Sequence, residues 1–76
     1  MNVDGDKLII DDKIDAEDYE ELLELASNDE VKQIIVDTND IHPAIFQILF
    51  VLSKEKKIVI EDEFNQRFFE NLKLAS

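Results

Sequence analysis

The clearest strand pattern in the chain is Val31-Lys32-Gln33-Ile34-Ile35-Val36-Asp37. Its β-branched run at residues 34–36 is continuous, which is typical of a strand covered on both faces of a sheet. Two other three-residue apolar runs, at residues 8–10 and 58–60, lie before and after it in the chain. The pattern therefore predicts three strands, near residues 7–11, 31–37 and 57–61.

Helical patterns fill the intervals after these strands. Residues 16–27 carry apolar side chains on one face and glutamates on the other, as an amphipathic helix does. Residues 43–54 begin with Pro43, which suits the first helical position, and are apolar almost all round, so this helix should be the most buried. A third helix at residues 62–73 repeats Phe64, Phe68 and Leu72 on one face.

The alternation of strands and helices predicts one α/β domain over residues 1–76, with a βαβαβα order. Short connections favour a mainly parallel or mixed sheet with flanking helices and right-handed crossovers. The residues expected to be largely buried are Leu8, Ile10, Leu22, Ile34, Val36, Ile48, Leu49, Val59, Phe68 and Leu72. Phe50 is expected to pack beneath Phe64 and Phe68, whereas Phe46 could be either buried or exposed.

The residue inventory excludes several kinds of active site. The chain has no cysteine, one histidine and one glycine, so it lacks thiol chemistry, a pair of histidine ligands and a glycine-rich phosphate loop. No serine lies in a nucleophile motif. We therefore expect no enzymatic activity and no cofactor. The absence of cysteine also favours a reducing compartment, which predicts a cytoplasmic protein.

The charge composition indicates the kind of partner. Nineteen acidic residues against eight basic ones give a net charge of −11, which repels nucleic acid and anionic membranes. The longest apolar run, at residues 44–52, is interrupted by Gln47 and is far shorter than the ~20 residues of a membrane span. A protein partner with a basic face is the expectation that remains.

Part of the sequence resembles the sulphate transporter and anti-sigma-factor antagonist (STAS) domain. Leu8-Ile9-Ile10-Asp11-Asp12-Lys13-Ile14-Asp15-Ala16 is similar to that family's strand, polar bend and helix start. Residues 31–37, 43–52 and 57–60 resemble its central strand, second helix and next strand. The chain would be a reduced STAS domain, without a full first strand and without a last strand. The resemblance implies a bacterial-type regulatory protein of the partner-switching kind, whose partner is a kinase-type anti-sigma factor.

The resemblance also implies a binding surface at the start of the second helix. The residues of this expected surface are Thr38, Asn39, Asp40, Ile41, His42, Pro43, Phe46 and Gln47. Switch members of the family carry a phosphorylatable serine there, but residues 41–44 of this chain are Ile-His-Pro-Ala, so a phosphoserine switch is not expected. Control of partner binding would come from protonation of His42, from the abundance of the partner or from modification of Thr38. The apolar second helix also allows association between copies of the chain.

An alternative function follows from three aspartates that end the predicted strands. Asp11, Asp12 and Asp37 would converge at the carboxyl edge of a parallel sheet, where ligands of such folds bind. Carboxylates placed there could hold Mg²⁺ or accept a phosphoryl group, as in response-regulator receiver domains, which this pattern also resembles. The chain is too short for a complete receiver fold, so protein binding is the first hypothesis.

Overall fold

Four strands form a single sheet in the computed structural model, which describes residues 1–75. The strands lie in chain order across the sheet, and they are β1 (Asn2–Asp4), β2 (Lys7–Ile10), β3 (Gln33–Val36) and β4 (Lys57–Ile60). β1 is antiparallel to β2, whereas β2, β3 and β4 are mutually parallel. The sheet is therefore mixed, and the predicted α/β class is confirmed.

The helices occupy the predicted intervals. They are α1 (Tyr19–Ala26), which is preceded by a 3-10 turn at Ala16–Asp18, α2 (Pro43–Leu52) and α3 (Glu63–Ala75). The side chain of Asp18 accepts a hydrogen bond from the Asp15 N–H at 2.8 Å and so closes a capping box at the 3-10 turn. α2 begins at Pro43, as the sequence indicates.

The first strand is not among the predicted ones. Asn2 and Asp4 are poor strand formers, and residues 2–4 are exposed, so this strand leaves no apolar pattern. It forms because Gly5 adopts a φ of 64°, which allows a two-residue connection back into β2. β3 begins two residues later than predicted, since the N–H groups of Lys32 and Gln33 both donate to the carbonyl of Asp6.

All three helices cover the same face of the sheet. Because β2, β3 and β4 are neighbours in chain order, both crossovers step in one direction, and right-handed crossovers then place α1 and α2 on one side. The strand residues in the core are Leu8, Ile10, Ile34, Val36 and Ile60. The helix residues that meet them are Leu22, Ala26, Ile45, Phe46, Leu49, Leu52 and Phe69.

The opposite face of the sheet carries no helix within residues 1–75. Ile9, Ile35 and Val59 alternate with the core positions of their strands, are half-buried, and do not belong to the core cluster. The prediction that residues 31–37 are covered on both faces is therefore wrong. A continuous β-branched run does not indicate on which side of the sheet the crossover helices lie.

Six of the ten residues predicted to be buried are buried, namely Leu8, Ile10, Leu22, Ile34, Val36 and Leu49. Ile48 and Leu72 are half-buried against the core, and Val59 is half-buried on the open face. Phe68 is 44% exposed, because α3 turns Asn65 and Phe69 inward instead. Phe64 is 77% exposed and therefore cannot cover Phe50.

Candidate functional site

The loop between β3 and α2, residues 37–42, is held from two sides. Ile14 forms an isolated parallel bridge with Ile41, in which the Ile14 N–H donates to the Asp40 carbonyl at 3.1 Å and the His42 N–H donates to the Ile14 carbonyl at 3.0 Å. On the other side, the side-chain amide of Asn65 donates to the Asn39 carbonyl at 3.2 Å. The loop backbone is therefore fixed between the segment before the 3-10 turn and the start of α3.

The start of α2 is capped by a histidine. The Nδ1 atom of His42 accepts a hydrogen bond from the Ala44 N–H at 3.1 Å, and His42 has the extended backbone of an N-cap residue. This contact requires an unprotonated Nδ1, since a protonated imidazole has no acceptor. Pro43 has no N–H to satisfy at the next position. The one histidine of the chain thus has a structural role at the expected binding surface.

The predicted surface residues divide into accessible and buried groups. The exposed members are Asn39, Asp40, His42, Pro43 and Gln47, and the half-buried members are Thr38 and Ile41. The hydroxyl oxygen of Thr38 accepts a hydrogen bond from the Asp40 N–H at 3.1 Å, which closes a turn inside the loop. The loop therefore presents polar side chains on a fixed backbone.

Phe46 does not belong to the accessible surface. It is only 4% exposed, and its ring meets the ring of Phe68 edge-on, with centroids 4.9 Å apart. The inclusion of Phe46 in the expected binding surface is therefore wrong, because Phe68 of α3 packs over its position on α2. Phe50 is half-buried, and the Lys54 ammonium lies 5.7 Å from its ring centroid.

An apolar groove between α1 and α2 lies next to the loop and was not predicted. It encloses about 620 Å³ and is lined by Ala16, Tyr19, Leu23, Ala44, Gln47, Ile48 and Val51. Tyr19, Leu23 and Val51 are 44%, 38% and 61% exposed. The sequence signal for the groove was the width of the apolar stripe on α1, which exceeds what the core contact with Leu22 and Ala26 requires.

A second, smaller groove lies on the other side of α2. It encloses about 320 Å³ between α2 and α3 and is lined by Gln47, Phe50, Val51 and Leu72. Gln47 and Val51 line both grooves. They therefore form an outer ridge on α2 that begins one turn after the capped loop.

The walls of the α1–α2 groove differ in charge. The segment from Asp15 to Glu30 has several acidic residues and no lysine or arginine, and α2 has no charged residue at all. Glu20 and Glu24 are exposed and directly follow the groove residues Tyr19 and Leu23 on α1. The groove thus has an apolar floor, one acidic rim and one uncharged rim.

The carboxyl edge of the sheet is acidic but shows no metal centre. Asp37 and Glu61 follow β3 and β4, and a shallow pocket of about 460 Å³ there also involves Thr38, Asn39 and Asp62. Among residues 1–75, no three aspartate, glutamate, histidine or cysteine side chains are grouped so that they could hold a metal ion. The structure therefore does not assemble Asp11, Asp12 and Asp37 into the Mg²⁺ site of the alternative function.

Within the described part of the chain, no helix has the length and apolar character needed to cross a membrane. Comparisons with protein-family models, with curated proteins and with solved structures each gave no match to this chain.

Proposed function

We propose that this domain is a regulatory protein-binding module that takes a basic amphipathic helix of its partner into the α1–α2 groove. The observation that carries the proposal is the position of an exposed apolar groove directly beside a loop whose backbone is fixed on both sides. In this arrangement the groove supplies apolar contact area. The loop supplies polar contacts that select the partner.

The shape of the groove favours a helical occupant. A hydrophobic channel between two adjacent helices can accept the apolar stripe of a third helix. The anchoring side chains of that third helix are spaced at i, i+3, i+4 and i+7. The eight residues of α1 span about 12 Å, so the groove matches about two turns of a partner helix. Val51 on one wall and Tyr19 on the other have the largest exposed fractions among the apolar residues of the groove, 61% and 44%.

The charge of the groove favours a basic occupant. Glu20 and Glu24 on the α1 rim would face lysine or arginine side chains at the edge of the docked helix. The net charge of −11 adds long-range attraction for a basic partner and repulsion for an acidic one. An amphipathic helix with basic flanks therefore combines both features of the surface.

The loop contributes specificity at low entropic cost. Asn39, Asp40 and Gln47 are exposed and offer side-chain donors and acceptors next to the groove. Because the loop backbone is already fixed by Ile14 and Asn65, little further ordering is needed when a partner binds.

The resemblance to STAS domains supports a partner-switching role, with a kinase-type anti-sigma factor as the partner and the cytoplasm as the location. In this proposal no serine is phosphorylated at the start of α2, since residues 41–44 contain no hydroxyl group. A phosphate on Thr38 would leave acceptor oxygens for the Asp40 N–H and would add negative charge to a loop that is already acidic. Protonation of His42 would remove the acceptor that caps α2.

The proposal is tested with a fluorescent model peptide of about four helical turns, with leucines on one face and lysines on the other. Fluorescence anisotropy should show saturable binding to the wild-type domain. Val51→Lys should weaken binding at least about tenfold, because it removes apolar area and repels the basic peptide. Leu74→Lys is the matched control, since Leu74 is 82% exposed on α3 and does not line the groove. Equal loss in both variants would contradict docking in the groove.

A further inference from the structure

The open face of the sheet has an ordered arrangement of charge. Ile9, Ile35 and Val59 are aligned across β2, β3 and β4 and form an apolar row. Two residues earlier, the same face carries a second aligned row made by Lys7, Gln33 and Lys57. The alternation of side chains along each strand places both rows on the side that the helices leave uncovered.

A third row continues the face at the carboxyl ends of the strands. The Asp37 N–H donates to the Ile10 carbonyl at 2.7 Å, and the Glu61 N–H donates to the Val36 carbonyl at 2.9 Å, so the ladder runs one residue past β3 and β4. Asp11 holds the corresponding position after β2. Asp4 of β1 lies beside Lys7 in the row that also holds Gln33 and Lys57. Across β2, β3 and β4 the open face is therefore basic at one end, apolar across its middle and acidic at the other end.

We infer that a second copy of the chain covers this face, with its strands antiparallel to those of the first. The two-fold axis lies between the two sheets and passes over Ile35. It is parallel to the planes of the sheets and perpendicular to the strands. Rotation about this axis brings the basic row of one copy over the acidic row of the other. It sets Lys7 opposite Asp11 of the second copy and Lys57 opposite Glu61 of the second copy. The apolar rows lie against each other, and each ion pair occurs twice by symmetry.

The dimensions of two packed sheets allow these contacts. Sheets pack face to face about 10 Å apart, with the strands turned by about 30° from strict alignment. A lysine side chain has the length and flexibility to reach a carboxylate across that distance and angle. The exposed Lys7 and Lys57 are not part of the two ion pairs found within residues 1–75, which join Lys13 to Asp15 and Arg67 to Glu63.

The alternative two-fold arrangement is unfavourable. An axis parallel to the strands would set lysine on lysine and carboxylate on carboxylate, which repels at both ends of the face. The antiparallel arrangement also limits the repulsion between two chains of net charge −11, because opposite charges meet at close range while distant charges are screened beyond about 8 Å at physiological salt.

The area of the face sets the strength of the dimer. Four strands are about 14 Å wide, and five residues along a strand are about 13 Å long. This footprint of about 180 Å² per copy is well below the ~800 Å² per partner of a standard interface, so the dimer should be weak, with a dissociation constant of about 0.1–1 mM.

The test is sedimentation equilibrium of the whole chain from about 10 μM to about 1 mM, a range that brackets the expected dissociation constant. The double variant Lys7→Glu with Lys57→Glu should weaken dimerisation at least about tenfold. The control is Lys32→Glu with Lys54→Glu, which changes the net charge equally but alters lysines outside the three rows. The fourfold variant K7E/K57E/D11K/E61K exchanges the two charged rows and should restore dimerisation to within about threefold of wild type.

Each result decides the proposal, and circular dichroism verifies that every variant is folded. A wild-type chain that stays monomeric at about 1 mM would overturn it. So would a control that dimerises as weakly as the double variant, since net charge alone would then explain the loss. A fourfold variant that fails to dimerise would exclude the antiparallel arrangement.

Discussion

The side-chain amide of Asn65 donates a hydrogen bond to the backbone carbonyl of Asn39 at 3.2 Å, and this contact joins α3 to the β3–α2 loop. Asn65 is 8% exposed and is the one buried polar side chain among residues 1–75. Asn65 shares the inward side of α3 with Phe69, which lies one turn further along and is 2% exposed.

The first prediction concerns this contact. Asn65→Ala should lower the free energy of unfolding by about 1–3 kcal/mol, since it leaves a carbonyl without its partner and removes side-chain packing. It should also speed amide exchange at Ile14 and His42, whose N–H groups bond within the same loop clamp. Asn71→Ala is the matched control, because Asn71 is exposed on the same helix. Equal effects of the two substitutions would show that the clamp does not stabilise the loop.

The second prediction concerns the histidine cap. His42→Ala should lower the free energy of unfolding by about 1 kcal/mol, because α2 loses its N-cap acceptor. His42→Asp should keep most of the stability, since a carboxylate accepts the same hydrogen bond and suits the helix dipole. Urea denaturation measures both. A His42→Asp variant as unstable as His42→Ala would mean that capping is not the role of this side chain.

The third prediction concerns the core. Ile34→Ala and Leu49→Ala should each lower the free energy of unfolding by about 2–5 kcal/mol, because both side chains are fully buried and a small domain has little room to fill the cavity. Val51→Ala should change it by less than about 0.5 kcal/mol, since Val51 is 61% exposed. Thermal or urea unfolding measures all three, and an Ile34→Ala loss below about 1 kcal/mol would contradict the burial.

The fourth prediction concerns Lys56, whose ammonium donates to the carbonyls of Asn28 and Val31 at 2.7 and 2.6 Å. These bonds tie the start of β4 to the connection between α1 and β3. Lys56→Met keeps most of the aliphatic stem and should still lower the free energy of unfolding by about 1–3 kcal/mol, because two charge-assisted hydrogen bonds are lost. Lys54→Met, at an exposed position of the same connection, should have a smaller effect in the same urea denaturation assay.

The positions of the helices and parallel strands could be predicted because periodicity reports burial directly. It was harder to predict which side of each helix or strand faces the core. On α3, Phe64, Phe68 and Leu72 form one apolar stripe, and Phe69 lies on another with Leu72, so apolar spacing alone does not choose between them. The side that faces inward carries Phe69 and also Asn65, whose tertiary contact with Asn39 has no local sequence signal.

The accessible surface was predicted in part for a related reason. The polar loop residues Asn39, Asp40, His42 and Pro43 are exposed, as expected from turn chemistry beside a helix start. Phe46 was misplaced because α2 is apolar almost all round, and such a helix does not indicate which side neighbouring helices cover. The α1–α2 groove and the open sheet face both depend on how whole elements are arranged, so neither could be derived from one segment.

The last prediction concerns salt, and it separates the two sources of attraction in the proposed function. The association rate of the wild-type domain with the basic amphipathic peptide should fall as ionic strength rises from about 0.05 to about 0.5 M, because screening shortens the reach of a net charge of −11. The dissociation rate should change much less, since the apolar contacts with Leu23 and Val51 are not screened.

Replacing the carboxylates on the rim of the groove, in the double variant Glu20→Gln with Glu24→Gln, should reduce the salt dependence of the association rate. The matched control for net charge is the double variant Glu63→Gln with Glu70→Gln, since both residues lie on α3. Stopped-flow fluorescence gives both rates. An association rate that is insensitive to salt would mean that apolar contact alone drives binding, and an equal reduction by the α3 control would mean that total charge, and not the acidic rim of the groove, guides the peptide.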